Sequence, residues 1–481
     1  MSNLITDEIL GQLSPDTLQT LRNEHLNSMG NYRRLLRFTE GNHKYVSERK
    51  EWIAFTKGRW KKDVDSRWIT RCYCRAMELT QLAAMKEGHN ALEKFANICL
   101  KNNTVESDLK FASKQIGEYP ISSNELDKDP FKLGTPSGVI DLKTGKDIKV
   151  NRTEYITKSV RVDFDPSVRC SLWEDEFLPS VCMGRKDLIQ YLKLLAGYML
   201  TGDVSEEMIH FLYGGGRNGK GTFTGTLAHL MNDYYFSLPS DFLESKKFGS
   251  GNNMTHASQL QGIRFALTSE TGRNRVWDME RINDLTGGDT LPVRALYQNT
   301  TNIEPTWTLV VHGNGKPRVN TEGEGFWARM ALVPFDASFI DAKSQIPNLK
   351  RDLKTKKAQQ GILSWAVEGC LEWQKMGLKE SKPQCILDAT REFRSDSDIL
   401  KDFYEQECVF NPDFKILKQD LWNKYHEYCE HMHIPAGRRF SLQNFYKKIL
   451  QKETVREAKI TGFRYFKGVD AIDNIPLKSA R

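Results

Sequence analysis

Gly214, Gly215, Gly216, Arg217, Asn218, Gly219, Lys220, Gly221 and Thr222 form one uninterrupted stretch of small, amide, cationic and hydroxyl residues. Within it, Gly214, Gly219 and Lys220 have the G-x-x-x-x-G-K spacing of a phosphate-binding loop. The chemistry explains the residue types. Glycines let backbone N–H groups turn toward an anion with no Cβ in the way. The helix start that follows adds a positive dipole end, and Lys220 adds a point charge for β and γ phosphates. The hydroxyl that usually follows the lysine directly is displaced: Gly221 holds that place and Thr222 comes one residue later. Gly313-Asn314-Gly315-Lys316 matches the pattern only in part and runs into Pro317, so it is not read as a second such loop.

These residues need elements to position them. The apolar run Met208, Ile209, Phe211, Leu212, Tyr213 predicts a buried strand of a parallel sheet, and a helical pattern starts at Thr222. A second strand is expected over Ile263 to Leu267, followed by Ser269-Glu270. An acid at the carboxyl end of a strand beside a phosphate loop suits Mg²⁺ binding or orientation of an attacking water. A third strand (Trp307, Leu309, Val310, Val311) leads to Asn314, whose amide suits a γ-phosphate or a lytic water, although its spacing fits a turn former equally. Between them, Leu285-Thr286-Gly287-Gly288-Asp289 reads as a tight turn, Arg294 and Tyr297 follow, and Gln298 to Pro305 reads as a hairpin tip. Arg329 stands beside Trp327 after a glycine-rich loop, just before a fourth strand.

The chain of 481 residues is long enough for two to four domains with real cores. Its 39% hydrophobic and 27% charged content is that of an ordinary water-soluble protein, and no apolar run is long enough to span a membrane. The polar start MSNLITDEILGQL is not a secretory signal, and an odd count of 9 scattered cysteines suits free thiols in a reducing compartment. A cytoplasmic protein of a host cell, with no membrane partner, is the expectation. A net charge of +7 is too modest to indicate nucleic acid by itself.

Four regions are expected: an α+β domain over 1–118, a β segment with a helical collar over 119–200, a phosphate-loop motor over 201–394 and a small domain over 395–481. In the first, Trp52, Trp60 and Trp68 interleave with cations such as Lys57, Arg59, Lys61, Lys62, Arg67 and Arg71. That pattern suits base stacking on a single strand. The preferred reading is plainer: a small β unit with an aromatic core and a solvated basic face. Residues 66–116 read as helical, and Cys72-Tyr73-Cys74 as structural. Turns at Pro136-Ser137-Gly138 and Thr144-Gly145 mark a small β segment, and Leu188, Tyr191, Leu192, Leu195 and Met199 share one face of a helix leading into the loop strand. Beyond a boundary near Ser395, three helices (Ile399 to Cys408, Lys418 to Cys429, Leu442 to Gln451) and two short strands make a winged-helix pattern. Asn444, Lys447 and Lys448 on the third helix, and Arg456, Lys459, Arg464 and Lys467 on the hairpin, would then face DNA. A helical protein-docking domain fits as well. His426, Cys429, His431 and His433 match no common zinc spacing.

Taken together, GGGRNGKGT (Gly214 to Thr222), SET (Ser269 to Thr271), LTGGD with Arg294 and Tyr297, HGNGKP (His312 to Pro317) and FWARM (Phe326 to Met330) resemble a superfamily 3 helicase. The branch is that of the primase-associated, D5-like helicases of phages, plasmids and poxviruses. The likeness extends upstream through YVSERKEWIAFTKGRW, TPSGVIDLKTG and LLAGYMLTGD. It implies an α/β fold with an AAA+-type core, and ATP and Mg²⁺ as cofactors. It also implies a homo-oligomer, expected as a hexamer, working on single-stranded and forked DNA for a phage or mobile element. By this resemblance Lys220, Glu270, Asn314 and Arg329 are catalytic. Gly214 to Thr222 hold nucleotide, Thr222 and Glu270 hold Mg²⁺, and Arg329 reaches the ATP of a neighbouring subunit. Arg294, Tyr297 and Lys316 contact DNA in a central pore, with Lys447 and Lys448 on the last domain. The sequence departs from the family at Gly221, at Asn283 (often a lysine) and at Ala328 (often a second arginine). No paired acidic motif with a histidine suggests priming, so a separate primase or initiator is an expected partner.

An ATP-driven helicase is the first reading. An origin-binding initiator in which ATP only controls assembly is the alternative. A nucleotide kinase would share the loop, but it gives no reason for LTGGD or Arg329.

Overall fold

The computed structural model describes all of the chain except residues 1–9, 57, 116, 245–258, 270–276, 295–299, 317–318, 320–323, 342–344, 397–398, 433, 435–438 and 475–481. The N-terminal region is α+β. Helix α1 (Pro15–Asn23) is capped by the Ser14 hydroxyl and has Pro15 at its first position, where no N–H is needed; α2 (Ser28–Thr39) is capped by the Asn27 side chain. Strands β1 (His43–Val46), β2 (Glu51–Thr56) and β3 (Arg59–Lys62) form an antiparallel meander. The carboxylate of Asp63 accepts the Trp68 and Ile69 N–H groups and so starts α3 (Arg67–Glu87). Helices α4 (Asn90–Cys99) and α5 (Asn102–Ala112) follow, and β4 (Pro120–Ile121) pairs in parallel with β1. Trp52 and Trp60 are buried, so these rings serve the core and leave the basic face to solvent; only Trp68 remains exposed. The stacking surface therefore does not exist on these strands, and the plainer reading holds there.

A three-stranded antiparallel sheet, β5 (Lys132–Gly134), β6 (Val139–Asp141) and β7 (Lys146–Ile148), lies against the motor core. Helix α6 (Lys186–Met199) buries Leu188, Tyr191, Leu192, Leu195 and Met199, the face seen in the sequence.

The central sheet has five parallel strands. In chain order these are β8 (Ile209–Tyr213), β9 (Tyr235–Ser237), β10 (Phe265–Ser269), β13 (Thr308–Gly313) and β14 (Met330–Pro334). Across the sheet the order is β14-β8-β13-β10-β9. The loop strand thus lies between two others, and every strand points its carboxyl end the same way. Helix α7 (Lys220–Met231) starts at the lysine, two residues before the expected point. Helix α8 (Met279–Thr286) precedes an antiparallel hairpin of β11 (Leu291–Arg294) and β12 (Thr300–Ile303), and α9 (Glu324–Arg329) precedes β14.

Two differences from the sequence reading stand out. Strand β9 is an additional edge strand. Strand β10 starts at Phe265 because the buried residues before it belong to a turn, where the Arg264 guanidinium donates to Leu200 O and Lys132 O. Helix α10 (Lys356–Met376) crosses α6 at glycines. A Cβ on Gly197 would lie 2.1 Å from Cys370 N, and one on Gly369 2.2 Å from Lys193 O. Only bare backbone allows that approach. Helix α11 (Gln384–Asp396) then packs on β14.

The last unit holds α12 (Ile399–Glu407), β15 (Cys408–Val409), β16 (Lys415–Leu417), α13 (Lys418–His431), α14 (Leu442–Ile449), β17 (Arg456–Ile460), β18 (Phe463–Lys467) and β19 (Asp470–Ala471). The three helices and the hairpin are as expected. Strand β16, not foreseen, pairs with β18 and completes a three-stranded sheet. No helix among the described residues is long and apolar enough to cross a membrane.

Candidate nucleotide site

The loop Gly214–Gly219 leaves the carboxyl end of β8 and turns into α7. Its backbone visits positive φ at Gly216 (98°), Arg217 (45°) and Gly219 (89°). A Cβ on Gly214 would lie 2.1 Å from Asn218 Nδ2 and 2.2 Å from Phe335 O; one on Gly219 would lie 2.3 Å from Val181 Cγ1. Gly215 and Gly221 have nothing within 4 Å of that position. So Gly214 and Gly219 answer to packing, while Gly215 keeps the mouth of the loop open.

Lys220 is 6% exposed, and its Nζ donates to Gly214 O (2.7 Å), Asn218 Oδ1 (3.0 Å) and Asn314 Oδ1 (3.2 Å). Burial pushes its ammonium down to about 8. The sequence-predicted Lys220 and Asn314 are therefore in contact, brought together because β8 and β13 are parallel neighbours in the sheet. Asn218 is buried and also donates from Nδ2 to Phe335 O at 3.0 Å, tying the loop to the residue after β14. Below the lysine, the Thr224 hydroxyl lies 3.3 Å from His312 Nδ1; burial, and then the charge of Lys220, hold that imidazole below its ordinary pKa.

Thr222 is half-buried and faces a cavity of about 600 Å³ shared with Phe177, Arg217, Gly219, Phe339 and Leu349. This cavity was not legible in the sequence, because Phe177 and Leu349 flank the loop from distant parts of the chain and carry no local motif. A glycine loop at a helix start, a cation at its floor and a partly apolar recess beside it are features that suit a nucleoside polyphosphate. Of the two residues expected to hold Mg²⁺, Thr222 is described, while Glu270 lies outside the described residues, directly after β10.

Arg329 lies elsewhere. It ends α9, next to Met330, which pairs with Ile209 at the amino end of β8. Gly214 is five residues further along that strand, roughly 17 Å at strand rise. The Arg329 guanidinium donates to Asn283 O (3.1 Å) and Thr286 Oγ1 (3.2 Å) and pairs with Glu207 at 3.2 Å. Its Nη1 sits 3.3 Å from where a Cβ on Gly287 would be, so the LTGGD turn is shaped around this arginine. That meeting of two motifs was not foreseen. Arg294 is on β11, Tyr297 lies outside the described residues, and Lys316 sits after β13, 3.6 Å from Glu392 and 5.7 Å from the Tyr213 ring centroid. Lys316 thus sits past the carboxyl end of β13, whereas the hairpin precedes its amino end. Lys447 and Lys448 are in the last turn of α14.

Three family descriptions match the chain: "D5 N terminal like" over residues 33–182, "Family of unknown function (DUF5906)" over 212–329 and "Poxvirus D5 protein-like" over 395–467. Among curated relatives, "Putative helicase L207/L206" of Acanthamoeba polyphaga mimivirus is 24% identical over 73% of this chain and 40% of its own length. "Putative helicase 121R" of Invertebrate iridescent virus 3 is 21% identical over 71% of this chain and 39% of its own length. "Putative primase C962R" of African swine fever virus (isolate Tick/Malawi/Lil 20-1/1983) is 23% identical over 43% and 22%. The chain thus spans 40% or less of the length of these relatives. In fold it is similar to the apo structure of the NrS-1 C-terminal region, with a TM-score of 0.50 at 10% identity, covering 93% of this chain and 100% of that one. The matches to both D5 descriptions, together with these relatives, support a D5-like primase-helicase family for this chain.

Proposed function

We propose that the chain is the ATP-hydrolysing motor of a DNA helicase of superfamily 3, with an AAA+-type core that works as a ring, expected to be a hexamer. The observation that carries this reading is the Lys220 site: a buried lysine that donates to the first residue of its own glycine loop and to an asparagine from the adjacent strand end. Phosphates of ATP would take over the Lys220 ammonium from Gly214 O, Asn218 and Asn314. Asn314, freed from the lysine, would hold the γ-phosphate or the water that attacks it. The nucleoside would occupy the cavity beside Thr222, Phe177 and Phe339. Thr222 and Glu270 would hold Mg²⁺, which neutralises phosphate charge when bound.

Arg329 is too far along the sheet to serve its own loop. Its partly exposed position suits a guanidinium offered to the ATP of a neighbouring subunit, where it would stabilise charge that develops in transfer. The Asn218 bond to Phe335 O ties the loop to the residue after β14, the strand that follows Arg329, and would link the two sites. The hairpin of β11 and β12, with Arg294 at its edge and Tyr297 beyond it, would grip one DNA strand in the pore. Lys316 would add a further cation, and Lys447 and Lys448 would meet DNA from a winged-helix unit. The viral relatives named as helicases and a primase support a role in DNA replication.

The test is strand displacement on forked DNA with ATP. Wild type should release the annealed strand and Lys220→Ala should not. Failure of the wild-type protein on forks of both polarities would overturn the helicase reading.

A further inference from the structure

Among the described residues, the three-stranded sheet of the last unit packs one face on its helices and leaves the cations of the other exposed. The pairing register sorts the side chains. Ile416, Phe466 and Glu457 are aligned and point inward: Ile416 and Phe466 are buried, Phe466 meets Tyr446 at 5.3 Å, and Glu457 pairs with Lys418 beneath the sheet. The next row therefore points outward, and it consists of Lys415, Lys467 and Arg456, one cation on each of the three strands in direct register. All three are exposed, and none has a carboxylate partner among the described residues. Like charges directly opposite one another weaken a sheet, so this row costs the free protein stability. Further along the same face come Tyr465, with Lys415 5.8 Å from its ring centroid, and then Phe463 beside the Thr461-Gly462 turn. Phe463 is 62% exposed, at the tip of the hairpin.

Three unneutralised cations in line, continued by two rings, are complementary to a chain of phosphates that carries accessible bases. We propose that this outward face binds single-stranded DNA, with Lys415, Lys467 and Arg456 on the backbone and Tyr465 and Phe463 stacked on bases. A duplex would satisfy the cations but would offer no base face to Phe463. The inference rests on the reading of the chain as a DNA motor and adds to it a second single-strand face, on the sheet of the last unit. It is separate from Lys447 and Lys448, which sit on the helix side of this sheet.

The experiment uses the full chain without nucleotide and a fluorescent 20-mer of thymidylate, with anisotropy read across a salt series. The triple change K415Q/R456Q/K467Q should weaken binding about tenfold or more and lower the salt slope by roughly 2, at ~0.7 per phosphate contact. Phe463→Ala should weaken it at least ~5-fold with the slope unchanged, the size of one lost stack. K467Q alone, at the centre of the row, should lower the slope by ~0.7, and it keeps the test valid if the triple variant folds poorly. Wild-type affinity and slope in these variants would overturn the proposal. So would an equal loss on a blunt duplex, which would make the face a duplex site. DNA-free ATP hydrolysis is measured on the same samples. Wild-type protein that hydrolyses no ATP would refute the motor reading while leaving the binding result standing; normal hydrolysis with unaltered binding would refute this inference alone.

Discussion

Two glycines flank Lys220, and the structure assigns them opposite tolerances. Gly219 has φ 89° and would place a Cβ 2.3 Å from Val181 Cγ1. An alanine there bears the left-handed cost, ~1–2 kcal/mol, and a steric overlap of ~1–3 kcal/mol. Gly219→Ala should therefore destabilise the nucleotide-free protein by about 3 kcal/mol, which lowers the Tm of a unit this size by roughly 6–12 °C. Gly221 is in the first turn of α7 with nothing within 4 Å of its Cβ position. Gly221→Ala should be neutral or stabilising by up to ~1 kcal/mol, the helix preference of alanine over glycine. Val181→Ala added to Gly219→Ala should recover the overlap and leave the backbone cost, a coupling of ~1–3 kcal/mol in a double-mutant cycle. The assay is thermal unfolding by near-UV circular dichroism, without ligand. Equal losses for the two alanines, or no recovery with Val181→Ala, would refute the packing account of the loop.

Nucleotide binding should weaken at alkaline pH. Lys220, pushed down to about 8 in the free protein, loses its proton above that value, and the phosphates need it charged; affinity is full below pH 8 and falls about tenfold from pH 7 to pH 9, with proton uptake on binding visible in calorimetry across buffers. Glu206 is buried and accepts from Trp373 Nε1 (2.7 Å), Leu378 N (2.7 Å) and Lys379 N (3.1 Å). Glu206→Ala strands those donors and should cost ~3 kcal/mol or more in denaturant unfolding.

The strand, glycine loop and helix start around Gly214–Lys220 were legible because the apolar run, the glycine spacing and the helical pattern follow one another in the sequence. The contact between Lys220 and Asn314 could be anticipated from two strand ends on one parallel sheet. The short strands were not legible. Tyr235–Ser237 and Lys415–Leu417 have three residues each, too few to show alternation, and sheet pairing rather than local preference makes them strands. The buried run from Ile263 looked like strand because burial and strand produce the same apolar signal; the Arg264 hydrogen bonds decide otherwise. Trp52 and Trp60 follow the plainer reading: both rings are buried in the core despite their basic neighbours. The meeting of Arg329 with Thr286 and Gly287 joins motifs far apart in sequence, which no spacing rule reports.

The central claim is a shared ATP site, with Lys220 from one subunit and Arg329 from the next. The measurement that tests it most directly is ATP hydrolysis, with and without single-stranded DNA, by wild type, by Arg329→Ala and by equal mixtures of the two. The account predicts stimulation by DNA, an inactive variant, and a mixture that loses well over half of the wild-type rate because mutant arginines poison wild-type loops. A loss in simple proportion to the mutant fraction, without DNA stimulation, would contradict it and leave each chain an independent ATP switch.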